Sequence, residues 1–243
     1  MTDFEELTVV TPDGEKLHGY LVRPTNKSIT KPVTVLSFHG NAGNIGHRLP
    51  IAGIISTNMG CNVLMVEYRG YGKSTGNPDE RGLNIDAQTS LDYLRQHPDT
   101  MNTKIVVYGQ SLGGAVSIQL VAKNQKQKDI KALILENTFT SIRALIPSVM
   151  PPARFIAPLC HQVWPSEDTI PAIRDVPVLF LSGLKDEIVP PSHMKALYNR
   201  CGAKPKVWRD FPEGTHNDTL AAPGYFQAIA DFLQEHVGQD GPR

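Results

Sequence analysis

The sequence carries no excess of either charge: 24 Lys and Arg balance 24 Asp and Glu, so the formal net charge is zero. Surfaces that grip phosphate backbones need a basic excess or stripe, and its absence argues against nucleic acid as a partner. Cysteine is scarce and scattered, at Cys61, Cys160 and Cys201. An odd, dispersed set makes no disulfide framework and supplies no Cys-x-x-Cys pair for zinc or redox work. There is no His-Glu-x-x-His and no clustered His/Cys ligand set, so no catalytic metal is expected. No apolar run approaches the roughly 20 residues that span a bilayer, and no signal peptide opens the chain. The expectation is a soluble, cytoplasmic-type domain without a membrane span. Two sequons, Asn26-Lys27-Ser28 and Asn217-Asp218-Thr219, read as chance matches in a reducing compartment.

Two cofactor signatures also fail. Gly72-Lys73-Ser74 looks like the end of a phosphate-binding loop, but the required first glycine position holds Glu67. Gly40, Gly43 and Gly46 lack the Gly-x-Gly opening of a dinucleotide site. No organic cofactor is expected.

What the chain does have is a regular alternation of β-rich apolar runs and helix-like stretches. Leu7–Val10, Pro12-Asp13-Gly14 and Leu17–Val22 read as a hairpin. Strands are expected at Val33–Phe38, Asn62–Tyr68, Lys104–Tyr108, Ala132–Leu135, Val176–Leu181 and Lys206–Trp208. Helices are expected at Leu49–Asn58, Leu83–Leu94, Leu112–Lys123 and Pro191–Asn199, with a last one presenting Phe226, Ile229, Ala230, Leu233 and Val237 on one face. Continuous apolar strands separated by helices predict an α/β fold: one domain over residues 1–243, with a mostly parallel sheet covered on both faces. Residues 139–171 break this rhythm. They are apolar but proline-broken (Pro147, Pro151, Pro152, Pro158) and too long for a plain connection. They are read as a small cap over a site mouth.

Gly109-Gln110-Ser111-Leu112-Gly113 fits the Gly-x-Ser-x-Gly elbow, and it sits between a buried strand and a helix, where the motif has mechanical meaning. The strained turn thrusts a serine hydroxyl out of the sheet, while Gly109, Gly113 and Gly114 leave room for close approach. A serine hydroxyl needs a base. In such sheets an acid follows a later strand and a histidine follows the last one. Asp186 and His216 occupy those places. Glu187, beside Asp186, and Glu136, ending the preceding strand, remain rival acids. His18, His97, His193 and His236 are read as surface residues, and His161 falls in the cap. Oxyanion donors are expected from the backbone N–H groups of Leu112 and Asn41, the latter in His39-Gly40-Asn41-Ala42-Gly43-Asn44. His39 is expected to shape that loop by hydrogen bonding.

These motifs together resemble the α/β-hydrolase superfamily over essentially the whole chain. More narrowly they are similar to the branch of α/β-hydrolase domain-containing protein 13 and its fungal relatives. The resemblance rests on residues 39–50, Tyr68–Ser74, Gly109–Ala115, Glu136–Phe139 and Gly214–Thr219. It implies a Ser111–Asp186–His216 triad and hydrolysis of acyl esters or thioesters. Partners would be small-molecule or lipid-like acyl ester substrates, or an acylated protein. Members often carry an N-terminal membrane anchor; this chain starts almost at its first hairpin, so attachment is expected only where an anchor precedes it. An acyltransferase on the same triad and a non-catalytic binding module are the alternatives. Epoxide hydrolase and dehalogenase chemistry would need an aspartate where Ser111 stands.

Overall fold

The computed structural model describes residues 3–26, 32–150, 152 and 155–238. Lys27 and Ser28 of the first sequon and Pro151 of the apolar segment lie outside the described residues. The hairpin β1 (Asp3–Val10) and β2 (Lys16–Arg23) leads into β3 (Val33–Phe38), α1 (Leu49–Met59) and β4 (Asn62–Val66). Next come α2 (Glu80–Gln96), β5 (Lys104–Gln110), α3 (Leu112–Asn124) and β6 (Ile130–Glu136). The chain then runs through α4 (Ile142–Val149), α5 (Ser166–Thr169), β7 (Val178–Gly183), α6 (Pro191–Arg200), β8 (Lys206–Phe211) and α7 (Tyr225–His236).

All eight strands form one sheet in the order β1-β2-β4-β3-β5-β6-β7-β8. The pairs β1–β2 and β2–β4 are antiparallel, and every pair from β4 onward is parallel. Side chains alternate across a strand, and here both faces are apolar. Leu36, Phe38, Leu64, Val107, Leu133 and Phe180 pack on the side of α2, α3 and α6, with Leu91, Val116 and Leu197. Val35, Val63, Val106, Ile134, Leu179 and Leu181 pack on the other side, with Ile55 of α1 and Ile229 and Leu233 of α7. Each such fully buried aliphatic side chain contributes about 1.5–3 kcal/mol. This α/β/α sandwich is the α/β-hydrolase fold.

The element boundaries differ from the sequence expectations in instructive places. β4 stops at Val66 instead of Tyr68, because the chain turns there: the Tyr71 N–H donates to Tyr68 O, and Ser74 Oγ donates to Glu67 O. β7 starts at Val178 because Pro177 has no N–H to give the ladder. The last helix buries Tyr225, Ile229, Phe232, Leu233 and Val237, while Phe226 and Ala230 are only half-buried. His18 is buried instead of exposed, its Nε2 lying 2.7 Å from Glu6 Oε1 in the hairpin.

Between β6 and β7, the described residues of 139–171 include α4 and α5. They are tied down by polar contacts: the Val163 and Trp164 N–H groups donate to Glu80 Oε2, and the Arg143 guanidinium donates to Cys160 O. Glu80 opens α2, so the segment is anchored to a helix end that the sheet already fixes. No helix among the described residues is long and apolar enough to cross a membrane.

Candidate active site

Ser111 stands between β5 and α3 with φ 53° and ψ −118°. This is a left-handed conformation that costs a non-glycine residue about 1–3 kcal/mol and persists only when its surroundings over-determine it. Three bonds do so. Ser111 N–H donates to Glu136 O at 2.9 Å, Gly114 N–H donates to Ser111 O at 2.9 Å, and Thr138 Oγ donates to the same carbonyl at 2.7 Å. The turn is also sterically exclusive. A Cβ on Gly113 would lie 2.1 Å from Phe38 O, and one on Gly109 would lie 2.2 Å from Gly113 O. Both obstacles are backbone and cannot swing aside. Gly113→Ala should therefore destabilise the fold by about 3 kcal/mol, at the upper end for overpacking. A chemical denaturation midpoint equal to that of the unsubstituted protein would contradict this.

Asp186 follows β7 and His216 follows β8, so adjacent parallel strands deliver both side chains to the same sheet edge. His216 Nε2 lies 3.1 Å from Ser111 Oγ, and His216 Nδ1 lies 2.8 Å from Asp186 Oδ2. The other carboxylate oxygen of Asp186 accepts the Ile188 and Val189 N–H groups at 2.9 and 2.7 Å. These bonds fix the carboxylate plane and leave Oδ2 aimed at the imidazole. All three residues are buried, with Ser111 at 9% exposure.

The rival acids are placed elsewhere. Glu136 is fully buried, and its Oε2 accepts the hydroxyls of Tyr108 and Tyr225, not the imidazole. Burial raises its pKa. Glu187 is exposed and accepts the backbone N–H of His216 at 3.2 Å. His39 is buried away from Ser111 Oγ, with Nδ1 2.7 Å from Gly40 O. His193 is half-buried, 2.8 Å from Thr140 Oγ, and His161 is exposed.

Asn41 and Leu112 line one cavity with Ser111. The loop carrying Asn41 passes close to the elbow: a Cβ on Gly40 would be 3.5 Å from Ser111 Cβ. The Tyr71 hydroxyl donates to Asn41 Oδ1 and so orients that residue at the rim. Leu112 is the first residue of α3, where unpaired N–H groups and the helix dipole favour negative charge. The cavity, about 430 Å³, is walled by Leu83, Phe139, Ile142, Leu145, Val149 and Trp164. Four of those six, from Ile142 to Trp164, lie within the apolar segment between β6 and β7, and Phe139 begins it.

One organising residue, Asn137, belongs to the Glu136–Phe139 motif, which does not disclose what its side chain does. Asn137, at φ 45°, donates through Nδ2 to Thr215 O, His216 O and Thr219 Oγ, and accepts Gly183 N–H at 2.8 Å. It clamps the histidine loop to the end of β7. Its partners lie 46–82 positions away in sequence, so no local pattern could announce this clamping role. Among the described residues, no group of three or more His, Cys, Asp or Glu side chains could hold a metal ion.

Comparison with known proteins agrees with this architecture. Residues 31–172, more than half of the chain, match the Hydrolase_4 family, described as serine aminopeptidase, S33. Protein bem46 of Schizosaccharomyces pombe is 53% identical over 96% of this chain and 78% of its own length. The uncharacterized membrane protein YNL320W of Saccharomyces cerevisiae is 42% identical over 96% of this chain and 80% of its own. Among solved structures, the Pyrococcus furiosus esterase Pf2001 superposes with a TM-score of 0.77 at 18% identity, covering 98% of this chain and 94% of that one. The match over residues 31–172, which spans β3 to β6 and the serine elbow, shows that the chain belongs to the Hydrolase_4 family of α/β-hydrolases.

Proposed function

We propose that this hydrolase cleaves carboxylic ester or thioester bonds through an acyl-enzyme formed on Ser111. The observation that carries the reading is the continuous relay from Ser111 Oγ to His216 at 3.1 Å and on to Asp186 at 2.8 Å, opening into an apolar cavity. In the proposed cycle, His216 Nε2 takes the hydroxyl proton as Oγ attacks the acyl carbon. It then returns that proton to the departing alkoxide or thiolate. Asp186 accepts from His216 Nδ1–H, which keeps the Nε2 lone pair facing serine and stabilises the transient imidazolium. The N–H groups of Leu112 and Asn41 receive the oxyanion, each such donor being worth roughly 3–4 kcal/mol. Water then repeats the attack on the acyl-enzyme. No step calls for a metal or organic cofactor.

Residues 139–171 act in this reading as a small cap, and the apolar wall they supply favours lipid-like acyl groups. Burying a methylene contributes about 0.8 kcal/mol, so kcat/KM should rise up to about fourfold per added carbon from acetyl until the cavity is filled. A series of p-nitrophenyl esters and matched thioesters measures this, and a preference for acetyl would remove the lipid-like part of the proposal. The family description names an aminopeptidase, so an aminoacyl p-nitroanilide belongs in the same series; faster cleavage of the anilide than of every ester would replace the ester reading. A fluorophosphonate probe should label Ser111, identified by peptide mapping.

A further inference from the structure

The loop that brings Asn41 to the elbow is held from below by two buried titratable side chains that the proposed cycle does not use. Glu67 lies just beyond β4, and one of its oxygens, Oε1, accepts the Ile45 N–H at 2.7 Å. The other, Oε2, lies 3.5 Å from His39 Nε2, and neither of these two atoms has a hydrogen-bond partner. Both side chains are 2% exposed. Room for the carboxyl is built in, since a Cβ on Gly72 would lie 2.6 Å from Glu67 Oε1. The ring of His39 packs against Tyr68 with centroids 4.4 Å apart and against Tyr71 at 5.5 Å.

The protonation of this pair follows from its neighbours. Gly40 O can only accept, so the 2.7 Å contact with His39 Nδ1 requires a proton on Nδ1. In a neutral imidazole that leaves a lone pair on Nε2, facing Glu67 Oε2. An ionised Glu67 would then oppose lone pair to lone pair in a buried site, at the full cost of two unsatisfied acceptors. One proton between them removes that cost. We propose that Glu67 is a neutral carboxylic acid that donates to His39 Nε2, and that this buried bond positions the loop bearing Asn41.

Burial acts in the same direction on both groups, raising Glu67 and pushing His39 down to about 4. What opposes the rise of Glu67 is the Ile45 N–H that donates to it, together with the side chains of His18 on β2 and of Arg48 and His47 ahead of α1; Arg48 also disfavours charging His39. Tyr68 and Tyr71 pack on the imidazole as uncharged rings. A neutral pair places no ion in the core, and burial, the largest influence on both groups, favours it.

The proposal rests on the reading of Asn41 as an oxyanion donor, so its test needs one readout that does not depend on turnover. Infrared difference spectra of unsubstituted protein minus Glu67→Gln at pH 7 should show the carbonyl stretch of a protonated carboxylic acid, shifted in D2O. A difference spectrum showing only carboxylate bands would overturn the proposal, whatever the activity. Glu136 is present in both proteins and cancels. The second readout is kinetic. The amide introduced by Glu67→Gln can accept the Ile45 N–H through its oxygen and donate to His39 through its nitrogen, so this variant should keep kcat within about threefold. Glu67→Ala should lower kcat by tenfold or more with KM within about twofold, the split expected when an interaction made only in the transition state is lost. Equal kcat in the two variants would overturn the positioning role while leaving the proton intact. If no ester is turned over by any form, the functional reading fails and the infrared result still decides the protonation of Glu67.

Discussion

Ser111→Ala should lower ester turnover by a factor on the order of 10⁶ while leaving the protein folded. Removing the nucleophile of a serine–histidine pair typically costs about that much in kcat, because base and acid act as a unit with the hydroxyl. A residual rate roughly 10³-fold to 10⁴-fold above water would persist, owed to the oxyanion donors and substrate binding. Stability should change by less than about 1 kcal/mol. Alanine loses only one hydrogen bond, to His216, whereas the three bonds that hold the strained backbone involve its N–H and carbonyl and survive. Thermal unfolding measured on the same preparation therefore separates a chemical role from misfolding. Turnover at the unsubstituted rate in a folded Ser111→Ala protein would end the proposal of an acyl-enzyme at this residue, and fluorophosphonate labelling should vanish with the activity.

Asp186→Asn should lower kcat by roughly 10⁴, the cost when the orienting acid of such a triad becomes an amide. The reasoning is geometric. One carboxylate oxygen is committed to the N–H groups of Ile188 and Val189, so the amide oxygen takes that place and the amide nitrogen faces His216 Nδ1. Two donors cannot face one another, so the imidazole proton moves to Nε2, and the atom facing Ser111 can no longer accept. Glu136→Gln is the matched comparison. Its carboxyl bonds Tyr108 and Tyr225, and it touches the elbow only through its backbone carbonyl, which accepts Ser111 N–H. Turnover should stay within about threefold, with any loss appearing in stability. A large loss of kcat in Glu136→Gln combined with normal turnover in Asp186→Asn would reverse the two assignments.

The contrast between these acids shows what the sequence could and could not reveal. Strand and helix identities were readable because a sheet buried on both faces writes its strands as unbroken apolar runs, such as Val33–Phe38. The elbow was readable because Gly109 and Gly113 answer a local steric demand within five residues. Chain order then pointed to Asp186 and His216. It favoured Asp186 and left Glu136 as the rival, since both carboxylates sit at or near the carboxyl ends of neighbouring strands and differ in side-chain direction. Burial of His18, the clamp made by Asn137 and the opposition of His39 to Glu67 are long-range facts. Each depends on a partner supplied by another strand or loop, and polar residues carry no periodic mark of where they will point. The proline-broken stretch was recognisable as something unlike a connection; which of its side chains face the cavity was not.

The sheet order has a consequence in time. Ser111 and His216 are separated by 105 positions, and they meet only once β7 and β8 have been added to the growing edge of the sheet. During synthesis the elbow emerges before Asp186 and His216 do, so under the proposed mechanism a nascent chain stays inert until both have emerged. Upon refolding, recovery of esterase activity should trail recovery of helical circular dichroism, because the non-local docking of the last strands is the slower event. Under the proposed mechanism, turnover thus reports that β8 and the loop bearing His216 are in place.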